Sequence, residues 1–412
     1  MRLVDKLRRI AAPAEIPRRA PGPPGARRLP GGVEESESGP VWIRRARFPV
    51  DTQHGSMRLR ALRDVAVKDL SVVARDPGLE HADFDKAIFF DTETTSLGGG
   101  VGTYVFLLGA GYMDGDSFVV EQYFLREMTE ERALLGTINR LFGRFELAVS
   151  FHGKGFDTPR LTDRLAFHHM QFDLPDVHLD LCQVGRQLYR GAFEDCRLQT
   201  FERELVRFHR QDDLPGADCP RAFFDHLRGD SSLIPRVFQH NLYDILTMPA
   251  LAACFAREVS SPSHPVVQAN LGRVYESSGR DDRARRAYGA SLPGLRERSH
   301  GLLPRTLERL ALLERRTGRH AESAELLQER VGLEPAAIQA LEDLAKYYEH
   351  RRHDYERACE LAREARRRLV DGVEGVEGGL PVDPAVRERR LQSLEHRLER
   401  LQRRVSFRES GP

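Results

Sequence analysis

The sequence predicts an α/β domain built on a mixed sheet, followed by an all-α region. Between Asp85 and about Glu258, short strand-like runs rich in Val, Phe and Tyr alternate with helical spacing. Three of those strands come first and in succession, which implies an antiparallel start to an otherwise α/β sheet. From Pro265 onward the strand pattern stops. At 412 residues the chain suits two or three domains rather than a single core.

The elements follow in order. Residues 1–28 carry eight Arg or Lys against two acids, a basic arm that is either solvated or in contact with nucleic acid. Residues 13–40 are crowded with Pro, Gly, Ala, Glu and Ser, so the whole 1–40 stretch is expected to be disordered. Residues 41–84 regain apolar character and are expected to pack on the domain that follows as short strands and a turn. Within 85–258, strands are expected at Lys86–Phe90, Tyr104–Tyr112, Ser117–Phe124 and Glu146–Phe151. Helices are expected at Glu130–Phe142, Thr158–His168, Leu181–Leu188 and Leu233–Arg257.

Residues 264–370 read as helical hairpins. "ANLGRVYESSGRDDRARRAYGASL" spaces Leu271, Gly272, Tyr275, Gly279, Ala284 and Tyr288 as a tetratricopeptide-like repeat does. Weaker copies follow around Leu310, Gly318 and Pro335, then Leu344, Tyr348 and Ala358. Glycines in 371–383 mark a linker. In 384–412, Leu391, Leu394, Leu398, Leu401 and Val405 form a 3-4-3-4 seam, which pairs with another copy or folds back on the repeats.

Whole-chain composition excludes several classes. A net charge of +1 argues for no polyanionic partner by itself. Five scattered cysteines without a C-x-x-C pair exclude a disulfide framework and a zinc knuckle. No apolar run approaches the roughly 20 residues that span a bilayer, so a cytoplasmic protein without membrane contact is expected.

The chemistry begins at "AIFFDTETTSL". Four apolar residues, Ala87–Phe90, run into Asp91 and Glu93, whose side chains share a face because strand side chains alternate. Two adjacent carboxylates repel and raise each other's pKa unless a cation neutralises them. All-oxygen ligands suit Mg²⁺ or Mn²⁺. Two further segments carry acids: "SFHGKGFDTPRL" places Asp157 at a helix start, and "VFQHNLYDILTM" puts His240 and Asp244 on one helical face.

With these segments the sequence resembles the DEDD 3′–5′ exonuclease superfamily, whose fold is ribonuclease H-like, and within it the YprB-type ribonuclease-H-like proteins. "GGGVGTYVFLLGAGY", "LQTFEREL" and "DDLPGADCPRAFFDHLRGD" extend the resemblance across roughly residues 85 to 257. It implies two Mg²⁺ or Mn²⁺ ions held by Asp91, Glu93, Asp157 and Asp244, with His240 as base or water-orienting group. It also implies cleavage at a single-stranded DNA or RNA end.

Two positions depart from that pattern. His240 lies four residues before Asp244, where the superfamily commonly has Tyr at four or His at five. His152 stands where related sequences often show Asn.

Other candidates have bland readings beside the functional ones. Asp180 reads as a helix N-cap, with a site-facing role as the alternative. His168 and His169 read as structural residues at a helix end. Glu202 and Arg203 read as surface-paired or cleft-lining, and Lys154 and Arg160 as phosphate contacts or solvated cations. The Gly98–Gly100 run reads as a turn, not a P-loop.

The expectation is a metal-dependent nuclease, with a helical region available to a protein partner and a seam available for self-association. Its rival is a non-catalytic nucleic-acid-binding scaffold on a degenerate nuclease domain.

Overall fold

The computed structural model describes residues 29–96, 102–334, 336–371 and 384–409. The basic arm through residue 28, the Gly98–Gly100 turn, Pro335 and the glycine linker of 372–383 lie outside the described residues.

The chain divides into two compact units, one of residues 1–184 and 197–256, the other of residues 185–196 and 257–412. The first is built on a seven-stranded sheet. Its strands are β1 (Gly32–Ser36), β2 (Gly39–Pro49), β5 (Ala87–Thr94), β6 (Val105–Asp114), β7 (Ser117–Phe124), β8 (Leu147–Ser150) and β9 (Val177–Asp180). The two-residue strands β3 (Gln53–His54) and β4 (Met57–Arg58) pair separately. The sheet order is β1-β2-β7-β6-β5-β8-β9, antiparallel from β1 to β5 and parallel from β5 to β9. This is a mixed ribonuclease H-like sheet with flanking helices, as the sequence led us to expect.

Helices α1 (Glu131–Phe142), α2 (Asp157–Phe167), α3 (Leu181–Tyr189), α4 (Leu198–Phe201), α5 (Cys219–Leu227) and α6 (Ile234–Ser260) come from this part of the chain. A π-helical turn, Glu202–Val206, continues α4. The central strand β5 begins with four residues that are wholly inaccessible, Ala87–Phe90, which is why the run has no polar alternation until Asp91.

Glycine sets how closely α6 approaches the sheet. A Cβ at Gly109 of β6 would lie 2.2 Å from Asn241 Oδ1 and 2.8 Å from Ile245 Cγ1, and one at Gly111 would lie 2.6 Å from Ile245 Cγ2. A larger residue at either position requires α6 or these side chains to shift.

Two expectations for the N-terminal region are overturned. Residues 32–36 and 39–40 are strand joined by a turn at 37–38, paired in antiparallel register from Gly32–Ile43 to Ser36–Gly39, with Glu34 on β1 bonded to Arg45 on β2. Residues 39–49 are part of the sheet itself, pairing with β7 from Trp42–Phe124 to Pro49–Ser117, rather than an extension laid upon it. A third correction concerns continuity. Residues 185–196 group with the second unit, where Asn270 donates to the carbonyls of Leu188 at 2.9 Å and Arg190 at 3.1 Å.

The second unit is helical: α7 (Pro265–Ser277), α8 (Asp281–Glu297), α9 (Leu303–Arg316), α10 (His320–Leu333), α11 (Ile338–Tyr347), α12 (Tyr355–Val370) and α13 (Pro384–Glu409). Gly272 lies against the Tyr288 ring, with room for no Cβ: it would stand 2.5 Å from the ring. The leucine seam folds back. Leu394 and Leu401 are buried with residues of α11 and α12, and Arg397 and Arg400 of α13 both bond buried Glu349. Among the described residues no helix is long and apolar enough to cross a membrane.

Candidate metal centre

Three of the four predicted acids meet where β5 leaves the sheet beneath α6. Carboxylate oxygens of Asp91, Glu93 and Asp244 lie within 4.8 Å of one another. Alternation along β5 sends Asp91 and Glu93 toward α6, where Asn241 Nδ2 donates to Asp91 Oδ2 at 3.0 Å. Asn241 is itself held by Gln122 of β7, whose Nε2 donates to Asn241 Oδ1 at 2.9 Å and to the Phe238 carbonyl at 2.8 Å.

Asp157 begins α2 and is buried. Its Oδ1 accepts from the Thr92 backbone N–H at 3.2 Å and from the Thr92 hydroxyl, which ties it to the residue between Asp91 and Glu93. The loop before it is shaped by Asp180, which caps α3 by accepting from Cys182 N–H at 3.0 Å. The same carboxylate also accepts from His152 N–H at 2.8 Å and Lys154 N–H at 3.3 Å, so it holds the approach to Asp157 as well. His152 has φ of +70°. Asn and His are among the residues that tolerate this left-handed region, which gives a backbone reason for the exchange between them.

His240 is fixed from both ends of its ring. Nδ1 lies 2.8 Å from Asp213 Oδ1, while Nε2 lies 3.5 Å from Asp244 Oδ2 and 3.9 Å from Glu93 Oε1. Arg210, which the sequence reading missed, runs through the same network. Its guanidinium grips Glu202 with two bonds of 2.8 Å, reaches Asp244 Oδ1 at 2.5 Å and Asp213 at 3.3 Å. Glu202 in turn accepts from Thr247 on α6, and Thr247 meets His54 of β3 at 2.9 Å. Arg210, Asp213 and Asn241 carry no linear signature, since the contacts that tie them to Asp244, His240 and Asp91 span 27 to 150 residues.

The remaining candidates fall outside this cluster. His168 pairs with Glu131 at 2.8 Å beside the buried Arg164–Glu131 pair, a structural role. His169 is exposed. The Arg160 guanidinium lies over the Phe156 ring at 3.5 Å, and Lys154 Nζ is 4.0 Å from Asp76. Arg203 pairs with Glu204 at 2.9 Å.

Electrostatics show how much negative charge is left uncompensated. Burial, then Asp244, Asp157 and Glu93, push the Asp91 carboxyl well above its usual range, against the Asn241 hydrogen bond. Burial raises Glu93 to about 8 despite the opposing His240 charge. Burial raises Asp157 to about 6, opposed by the Thr92 bonds. For His240, burial lowers the pKa, but Asp213, Asp244 and Glu93 outweigh it and lift the ring to about 9. The donor set is therefore all-oxygen, buried and short of positive charge, which fits hard divalent ions.

Residues 88–255 match the family model of the RNase_H superfamily, in keeping with the ribonuclease H-like fold. YprB of Bacillus subtilis (strain 168) is 26% identical over 379 residues, covering 88% of this chain and 86% of that protein, so the resemblance to YprB-type proteins holds over most of the chain. The family B DNA polymerase from the hyperthermophilic archaeon Pyrobaculum calidifontis is similar at a TM-score of 0.35 and 15% identity, over 56% of this chain and 29% of the polymerase.

Proposed function

We propose that the chain is a metal-dependent nuclease that hydrolyses phosphodiester bonds of DNA or RNA, working from a 3′ end. The observation that carries this reading is the convergence of Asp91, Glu93 and Asp244 within 4.8 Å in a ribonuclease-H-like domain. Asp157 completes the oxygen set, and the four would hold two Mg²⁺ or Mn²⁺ ions. Such a pair supplies Lewis-acid stabilisation of the charge that develops on phosphate oxygens and makes water a better nucleophile.

The protein's own groups have separable parts in this scheme. Asn241 and Thr92 fix Asp91 and Asp157 in place, and Asp213 fixes the His240 ring so that Nε2 faces the acids. With its pKa near 9 the imidazole is protonated at neutral pH, a donor rather than a base. Added positive charge at the acids lowers that value and turns His240 into a group able to orient water or accept its proton.

The test is degradation of a 3′-labelled oligonucleotide with Mg²⁺ or Mn²⁺, beside the Asp91→Ala, Glu93→Ala double variant. Cleavage by the natural chain alone supports the proposal. No cleavage under either ion favours the non-catalytic scaffold, for which one observation speaks: Arg210 already places a fixed cation on Asp244.

A further inference from the structure

One donor at the cluster has no part in the oxygen-only scheme. Cys219 begins α5 and is wholly inaccessible, yet its Sγ, an oxygen of Glu93 and a ring nitrogen of His240 lie within 4.8 Å of one another. The three come from β5, α5 and α6, so no single turn or helix end accounts for their meeting.

An independent feature points the same way. His240 Nδ1 is 2.8 Å from Asp213 Oδ1 and 3.3 Å from an Arg210 nitrogen, which turns Nε2 toward the acids, 3.5 Å from Asp244 Oδ2 and 3.9 Å from Glu93 Oε1. A histidine whose Nδ1–H donates to a carboxylate presents the lone pair of its other nitrogen once that nitrogen gives up its proton, as metal-ligating histidines do. Positive charge is scarce there. The Arg210 guanidinium is already shared by Glu202, Asp213 and Asp244, and Asp244, Asp157 and Glu93 all press on the Asp91 carboxyl.

We propose that Cys219 Sγ, His240 Nε2 and Glu93 form a site for one borderline-soft divalent cation of the zinc class, which shares Glu93 with the oxygen cluster and competes with hard ions for it. A sulfur, nitrogen and carboxylate set is the donor chemistry of zinc and excludes preference for Mg²⁺. Bond lengths near 2.0–2.3 Å require the donors to draw together by about 1 Å. Binding forms an S–metal and an N–metal bond and releases the thiol proton and the His240 Nε2 proton to solvent, with no change of oxidation state.

The probe is Co²⁺ added to the metal-free full chain without nucleic acid, followed by the thiolate-to-cobalt absorption band. The natural chain should show the band, saturating at one ion per chain and bleached by Zn²⁺. Cys219→Ser should abolish it. Asp213→Asn should keep the band with roughly 10- to 100-fold weaker binding, the usual loss when a ligand histidine's carboxylate partner is removed. No band in the natural chain, an undiminished band in Cys219→Ser, or unchanged affinity in Asp213→Asn overturns the site. Melting curves check that each variant folds, and Asp213→Asn carries the test if the serine variant does not. Nuclease activity does not enter these readouts, so this site and the proposed reaction fail separately.

Discussion

Replacing Gly109 with Ala tests how the fold holds the cluster together. The added Cβ would stand 2.2 Å from Asn241 Oδ1 and 2.8 Å from Ile245 Cγ1, where carbon contacts settle near 3.5–4.0 Å. Either α6 retreats by about 1 Å or Asn241 gives up its bonds to Gln122 and Asp91. Overpacking costs about 1–3 kcal/mol, and a buried amide left without partners costs a similar amount. The expected loss is about 3 kcal/mol. The chain's single tryptophan, Trp42, lies on β2 in the same sheet, so urea denaturation followed by its emission reports this unit rather than the helical one. An unchanged slope with a lowered midpoint is expected. A shift worth less than about 0.5 kcal/mol, the scale of an ordinary surface change, would refute the close-approach argument.

Three more outcomes follow from the geometry. In the metal-free chain Glu93 and His240 both have raised pKa values, so both bind protons more tightly folded than unfolded. Stability should fall by about 4–5 kcal/mol as pH rises from 6.5 to 9, read by melting in a chelator, and Mn²⁺ should remove most of that slope. His54 and His178, lowered to about 4 and 3 by burial, act in the opposite sense only below their unfolded value near 6.5. Asp180→Ala removes one acceptor from three backbone N–H groups and should cost about 2 kcal/mol in urea melts while weakening Mn²⁺ binding, through a displaced Asp157. Unaltered Mn²⁺ binding would show that the loop does not position that acid. Glu349→Ala leaves Arg397 and the half-exposed Arg400 without their shared partner and, since both can turn to solvent, should cost about 1 kcal/mol. Trypsin should then cut the arginines of α13 faster than in the natural chain; equal rates would mean that the leucine seam alone holds the helix.

What the sequence made legible was whatever rests on local periodicity. Ser117–Phe124 and the helix start at Leu181 fell where expected, and Asp91, Glu93 and Asp244 came together because strand and helix phase dictate their faces. β9, Val177–Asp180, showed only through its end, where Asp180 marks the passage from strand to helix. β1 looked disordered because its support comes from cross-strand pairing, with Arg45 on β2 bridging to Glu121 at 2.6 Å as well as to Glu34. Arg210 and Asp213 sit in "HRQDD", an ordinary charged run until folding places it against α6. Asn241 was passed over between His240 and Asp244, although it faces Asp91 from the same helix.

Anomalous diffraction from crystals soaked in Mn²⁺ tests the central claim most directly. The account predicts two manganese peaks about 4 Å apart, bounded by Asp91, Glu93, Asp157 and Asp244. Density for no ion among those carboxylates, in crystals whose sheet and α6 are intact, would contradict it.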